Sequence, residues 1–246
     1  MGKFDNKHVF ISGGTRGIGF VTATKFLEQG GKVSIVGKSE EHLKLALNQL
    51  KNDRLFGIVG DFTFPENVER CLNEAVEKFG DIDILVNCVG IAIPSAFEDI
   101  SVEEWYEVLA VNLTSFFLTS KFVAPSMKQK RYGKIINVSS IAGRTYSKLC
   151  GLHYSCSKAA IITMTKQLAA ELGPYGINVN CICPGQTYTG MLEPFLKENG
   201  KKSIEDKIPL GYIAVPQQQA NVIVFLATDE ANYMNGAILD VNGGQL

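Results

Sequence analysis

A chain of 246 residues, 46% hydrophobic and 20% charged, is long enough to close a substantial core and of a size to do so as one unit. Its 24 Lys and Arg against 25 Asp and Glu leave a formal net charge of -1, which excludes the broad basic footprint of a binder of nucleic acid or anionic membrane. No uninterrupted apolar stretch approaches the roughly 20 residues of a membrane span, MGKFDNKHVF lacks the apolar core of a secretory signal, and neither Gly2 (with Asn6 where Ser or Thr is needed) nor GGQL matches a targeting signal, so a cytosolic protein is expected.

In chain order, short apolar runs alternate with longer segments of helical period. HVFIS (8–12), KVSIV (32–36), LFGIVG (55–60), IDILVN (82–87), KIINVS (134–139), INVNCIC (177–183) and AILDV (237–241) are the strand candidates. Their alternation with helices predicts an α/β fold, a doubly wound seven-stranded parallel sheet with helices on both faces, in one domain over residues 1–246. Pro65 and Pro216 fall in first turns, Ser101-Val102-Glu103-Glu104 forms a capping box, and Gly173-Pro174 stops the helix that carries Tyr154 and Lys158. Residues 186–212 lack a strand and are expected to form a lid, with Gly190, Pro194, Gly200 and Pro209 as hinge positions.

Six cysteines spread through a chain of this size fit reduced thiols better than a disulfide framework. Cys181 and Cys183 share one face of a strand, where core packing is expected rather than ligation. His8, His42 and His153 form no cluster, and no metal is expected.

SGGTRGIG (12–19) follows the first strand and opens a segment, FVTATKFLEQG, with helical apolar spacing. Gly13, Gly17 and Gly19 there permit a tight turn, close approach of backbone to a pyrophosphate and close packing of helix on strand, and the helix N-terminus favours negative charge. The loop is expected to hold a dinucleotide. Further on, HYSCSK (153–158) sets Tyr154 and Lys158 four residues apart on one helix face, where a cation favours phenolate and lowers a pKa that is otherwise about 10. Alone, the pair is better read as part of an ordinary solvated face.

The Gly-x-x-x-Gly-x-Gly spacing is followed by Asp61 and Phe62 after the third strand, NCVG at 87–90, Asn112 in VNL, Ser140 in NVSSIAG, Tyr154-x-x-x-Lys158 and PGQTYT at 184–189. In that order, over essentially the whole chain, these motifs resemble the short-chain dehydrogenase/reductase family, and within it carbonyl reductases of the 3-oxoacyl-acyl-carrier-protein reductase kind. The resemblance implies a Rossmann fold and hydride transfer between a nicotinamide and a ketone or secondary alcohol. It implies Tyr154 as proton donor, Lys158 as the cation that tunes it and holds the ribose, Ser140 as hydrogen-bonding partner of the substrate oxygen, and Asn112 as organiser of a water leading to Lys158. Cofactor contacts are implied for Gly13, Thr15, Arg16, Gly17, Ile18 and Gly19, for Asp61 and Phe62 near the adenine, for Asn87 and Gly90 in the turn after the fourth strand, and for Pro184, Gly185, Thr187 and Thr189 near the nicotinamide amide. Cys88-Val89 departs from the Asn-Ala common in that turn. Relatives' assembly implies a homotetramer or homodimer.

At the end of the second strand, where an NAD enzyme commonly has an acid for the ribose diol, stands Gly37. Lys38 and Arg16 are placed to meet a 2'-phosphate, which favours NADP(H) over NAD(H). The resemblance places Ile93, Ala142 to Tyr146, Cys150, His153, Gln186 and Met191 near the pocket mouth, with His153 expected to pack rather than catalyse. Arg144 and Lys148 suit either an anionic substrate arm or solvent. The expected activity is NADP(H)-dependent carbonyl reduction; an NAD-dependent alcohol dehydrogenase and a non-catalytic sensor of the nicotinamide ratio remain alternatives. Enoyl reduction is disfavoured, since relatives that perform it usually space Tyr and Lys more widely.

Overall fold

The computed structural model describes residues 2–147 and 149–246. Seven strands, β1 His8–Ser12, β2 Lys32–Gly37, β3 Leu55–Val59, β4 Ile84–Asn87, β5 Gly133–Val138, β6 Ile177–Pro184 and β7 Ile238–Val241, form one sheet in the order β3-β2-β1-β4-β5-β6-β7, parallel throughout. β1, β4 and β5 are buried along their whole length, as strands covered on both faces must be.

The pleat sends alternate residues to two cores. On one face Ile11, Ile35, Val86 and Ile136 meet Phe26 of α1 (Gly17–Glu28), Leu43 of α2 (Glu40–Leu50) and Ile223 of α9 (Pro216–Leu226). On the other, Phe10, Leu85, Ile135 and Val179 meet Leu72 of α3 (Pro65–Phe79), Val123 and Met127 of α5 (Ser115–Lys130), and Ala169 of α6 (Leu152–Leu172). Cys181 and Cys183 share one side of β6 and pack with Phe116, Ile161 and Ile162.

Helix α4 (Val102–Leu109) runs through a π-helical turn, Ala110–Thr114, into α5. The resulting 29-residue helix, Val102–Lys130, is by length and composition apolar enough to cross a membrane, which a search for uninterrupted apolar runs overlooks. Here it lies along the sheet with Val108, Phe116, Val123 and Met127 buried. At its start Ser101 Oγ accepts from Glu104 N at 3.1 Å, but the expected reciprocal half of a capping box is replaced: the Glu104 carboxylate turns to His153. Between β6 and α9 come two short helices, α7 (Glu193–Asn199) and α8 (Lys201–Glu205), gathered on Leu192, Phe195, Ile204, Ile208 and Ile213.

Polar side chains at the ends of β4 and β5 are tied together beneath the sheet surface. Asn87 Nδ2 donates to Asn137 Oδ1 at 2.9 Å, Asn137 Nδ2 donates to Thr165 Oγ1 at 3.0 Å, and Thr119 Oγ1 donates to Asn87 Oδ1 at 2.7 Å, all four residues being fully buried. A buried network of this kind is stable only when complete. Asn137→Ala removes the acceptor of Asn87 and the donor to Thr165, and is expected to lower the unfolding free energy by about 1–3 kcal/mol. Urea titration should show an earlier midpoint with an unchanged m-value.

Candidate active site

In an open parallel sheet the strand order reverses where two neighbouring strands send their connections to opposite sides, leaving a crevice beyond the carboxyl ends. Here that point lies between β1 and β4. Ser12 Oγ, at the tip of β1, accepts from Cys88 N at 3.1 Å and Val89 N at 3.4 Å, fixing the loop after β4 beside the glycine turn. A Cβ on Gly13, whose φ is +73°, would stand 2.8 Å from Val89 Cα, and one on Gly19 would stand 2.2 Å from Gly13 O. No side chain fits either position.

A cavity of about 780 Å³ opens from this crevice and contains Gly13, Thr15, Arg16, Gly17, Ile18 and Gly19 in its wall. Arg16 is the N-cap of α1, so the first-turn amides of that helix open toward the same space. Lys38, Asp61, Phe62 and Gly90 also line it, as do Pro184, Gly185, Thr187 and Thr189. Gly37 stands at the rim, and a Cβ there would come 2.5 Å from Thr15 Cγ2. Lys38 is not a free cation: its Nζ lies 2.8 Å from Asp61 Oδ2, with 71% of the lysine side chain exposed. That hydrogen bond raises the Lys38 pKa; on Asp61, partial burial opposes but bonds from Lys38 and Thr63 prevail and hold the carboxyl low.

Two residues expected to serve the site stand behind its wall. Asn87 lies outside the cavity lining because period two turns its side chain under the sheet, into the network with Thr119 and Asn137. Asn112 sits in the π-helical turn, a local widening that presents its carboxamide inward. Its Oδ1 accepts from Ile91 N at 2.8 Å, and its Nδ2 donates to Ile91 O at 2.9 Å and to Ser157 Oγ at 3.2 Å. Asn112 thus pins the loop after β4 to α6. Gly90 separates it from the lysine: a Cβ there would be 3.5 Å from Asn112 Oδ1 and 3.4 Å from Lys158 Nζ.

At the far end of the cavity, α6 presents Tyr154 and Lys158, both buried, opposite the end of β5. Lys158 Nζ donates to Val138 O at 3.0 Å and lies 5.7 Å from the centroid of the Tyr154 ring. Burial pulls the Lys158 pKa down to about 8. The sequence-based expectation that Lys158 lowers the Tyr154 pKa is reversed here by burial, which pushes the phenol up, with Cys150 adding to the rise and a hydrogen bond with Ser140 opposing it. The two serines have separate partners. Ser139 Oγ donates to Lys158 O at 2.6 Å, toward the helix backbone, whereas Ser140 Oγ accepts from Ala142 N at 3.1 Å and bonds the Tyr154 side chain.

Beyond Tyr154 the wall includes Ala142, Thr145, Tyr146, Cys150, Gln186 and Met191. Ile93 and His153 are not part of it, and Arg144 turns away to pair with Asp240 at 3.1 Å; Lys148 lies outside the described residues. Leu149, Leu192, Phe195, Lys207 and Gln245 join the wall without having been singled out in the sequence. Apolar spacing over 192–196 is a signal for Leu192 and Phe195 alone, because a wall built from a loop, two short helices and the last residues has no period.

Comparison with known proteins gives this geometry its context. Residues 13–245 match the sequence model of a family described as Enoyl-(Acyl carrier protein) reductase. The chain is 38% identical to a 3alpha-hydroxysteroid dehydrogenase of Mediterraneibacter gnavus, over 97% of this chain and 96% of the relative. It is 36% identical to the 3-oxoacyl-[acyl-carrier-protein] reductase FabG of Aquifex aeolicus, over 98% of each. Among solved structures, levodione reductase superposes with a TM-score of 0.91 at 29% identity, covering 98% of both chains. The chain belongs to the short-chain dehydrogenase/reductase family, oxidoreductases acting on CH–OH and C=O groups with a nicotinamide cofactor.

Proposed function

We propose that this protein is an NADP(H)-dependent carbonyl reductase that interconverts a ketone and a secondary alcohol. The observation that carries the reading is the meeting of Ser140, Tyr154 and Lys158 at the buried end of a cavity whose other end is built from a side-chain-free glycine turn. A dinucleotide fits such a wall. The turn leaves room for a pyrophosphate at the N-terminus of α1, and the buried Lys158 ammonium has one hydrogen-bond acceptor among the described residues. Bound there, the nicotinamide supplies or accepts the hydride at the substrate carbon.

Ser140 holds the substrate oxygen where negative charge develops, and Tyr154, a phenol whose neutral form burial favours further, delivers a proton to that oxygen. The raised pKa keeps the proton on the phenol until charge appears beside it. Lys158 hydrogen-bonds the nicotinamide ribose and stabilises the phenolate left after transfer. Asn112 holds the loop over Lys158, its carboxamide being taken up by Ile91 and Ser157.

Arg16 and Lys38 at the rim favour a 2'-phosphate, and Gly37 removes the acid that would repel one. Use of NAD(H) is the second reading, and the Lys38–Asp61 ion pair is what favours it, since a neutralised lysine discriminates less. The substrate side is mainly apolar, with Met191, Leu192, Phe195 and Ile204 facing the space, which suits a hydrophobic ketone. We place residues 186–212 as the lid and the exposed Phe97 and Tyr106, beside and on α4, in a homotetramer or homodimer contact.

Absorbance of NADPH followed over a panel of cyclic and aliphatic ketones tests the activity. Turnover is expected, and Tyr154→Phe should lower kcat by about 10²–10⁴-fold on any ketone accepted; an unimpaired phenylalanine variant rules out the role given to Tyr154. Cofactor choice is tested at Gly37. Gly37→Asp alone should clash with Thr15 and bind both NADPH and NADH poorly. Combined with Thr15→Ala it should gain NADH affinity and lose NADPH affinity by about tenfold or more, equivalent to about 1.4 kcal/mol, in titrations of reduced-nicotinamide fluorescence.

A further inference from the structure

His153 is fully buried yet faces no part of the cavity. Both its ring nitrogens are engaged: Tyr154 N donates to Nδ1 at 3.0 Å, and Nε2 lies 2.9 Å from Glu104 Oε1. Because Nδ1 accepts, the proton sits on Nε2 and is donated to the carboxylate, which fixes a single tautomer.

The amide of Tyr154 belongs to the first turn of α6, where donors lack partners within the helix. Gly151, the N-cap, has no side chain to offer, although its carbonyl accepts from the same amide at 3.1 Å. His153 supplies a second, side-chain acceptor for that amide by folding its ring back over Gly151, where a Cβ would stand 2.2 Å from His153 Cε1. Any Cβ at position 151 would push this ring out of place. Glu104 comes from the first turn of α4, whose backbone is itself held by Ser101. The chain Ser101, Glu104, His153 thus runs from one helix start to another and ends on the main chain of the residue that carries the phenol.

We propose that Glu104 and His153 are positioning residues that set where the Tyr154 hydroxyl stands relative to Ser140. The proposal rests on the reading of Tyr154 as proton donor. Neither residue touches the cavity, and both act through the backbone at one end of a side chain whose other end shares the cavity wall with Ser140. A shift of about 1 Å at a reacting group is enough to cost up to about 10²-fold in rate.

The test compares wild type, Glu104→Ala, Glu104→Gln and Tyr154→Phe with the ketone turned over fastest in the NADPH assay, alongside NADPH affinity by fluorescence. Glu104→Ala is expected to lower kcat by about tenfold or more, with the NADPH Kd and the ketone KM within about twofold of wild type. Glu104→Gln, which keeps an oxygen for Nε2–H, should recover at least about half of the lost rate constant. In the Tyr154→Phe background the alanine substitution should change the residual rate by less than about twofold, because its effect passes through the phenol. Glu104→Asp withdraws the oxygen while keeping the charge and carries the same expectation if the alanine variant does not fold. The proposal is overturned if Glu104→Ala and Glu104→Asp keep the wild-type kcat, if kcat and NADPH affinity fall together, or if the loss is as large without the Tyr154 hydroxyl. Full activity in Tyr154→Phe, or no turnover of any ketone by wild type, removes instead the functional reading beneath it.

Discussion

Lys158 Nζ donates to the carbonyl of Val138 at 3.0 Å in the interior of the chain, and the elements of the site are arranged around that buried ammonium. Removing a cation from water is costly unless hydrogen bonds replace its hydration, and one carbonyl replaces only part of it. That imbalance appears as a pKa drawn down to about 8. Gly90 leaves the space above the ammonium open, Asn112 fastens the loop that carries Gly90, and Ser139 holds the helix backbone at Lys158 itself. In the proposed function the ribose of the dinucleotide supplies the missing acceptors, so the strain of the free protein becomes affinity for the cofactor.

The rest of the architecture keeps that geometry in place. All seven strands are parallel, so their carboxyl ends collect on one edge, and the reversal between β1 and β4 opens the only kind of crevice such a sheet offers a ligand. Ser12 bridges the crevice from below. Beneath it, Asn87 and Asn137 lock β4 to β5 and reach α5 and α6 through Thr119 and Thr165. Two polar systems therefore lie back to back, one fully satisfied and one left partly open. The satisfied one makes the framework rigid enough to hold the open one.

The sheet was legible in the sequence because each strand is a short apolar run between turn residues, and a strand buried on both faces has little choice of composition. HVFIS coincides with β1, and KIINVS differs from β5 by one residue at each end. The glycine turn was legible for a different reason: Gly13 and Gly19 sit where the backbone of another segment occupies the position of a Cβ. What depends on distant segments meeting was not legible. Glu104 and His153 are 49 positions apart, and nothing about either residue type announces the other. Asn87 looked like a turn residue of the cofactor site, but strand parity directs its carboxamide into the framework. Arg144, read as a candidate for an anionic arm, was claimed by Asp240 on the neighbouring edge strand.

The site turns on the state of Lys158, and titration of its side chain by NMR measures that state most directly. With ε-13C-labelled lysine, and the resonance assigned by its absence in Lys158→Met, the free protein should titrate near pH 8, since burial disfavours the charged form. Because the native group then releases its proton before the unfolded one, wild type should also gain stability relative to Lys158→Met between about pH 8 and about pH 10.4. Saturation with NADP+ should move the midpoint upward as the ribose and the phosphates favour the ammonium. A midpoint near 10.4 in the free protein, or one that NADP+ leaves unchanged, would contradict the claim that this buried cation is completed by the dinucleotide.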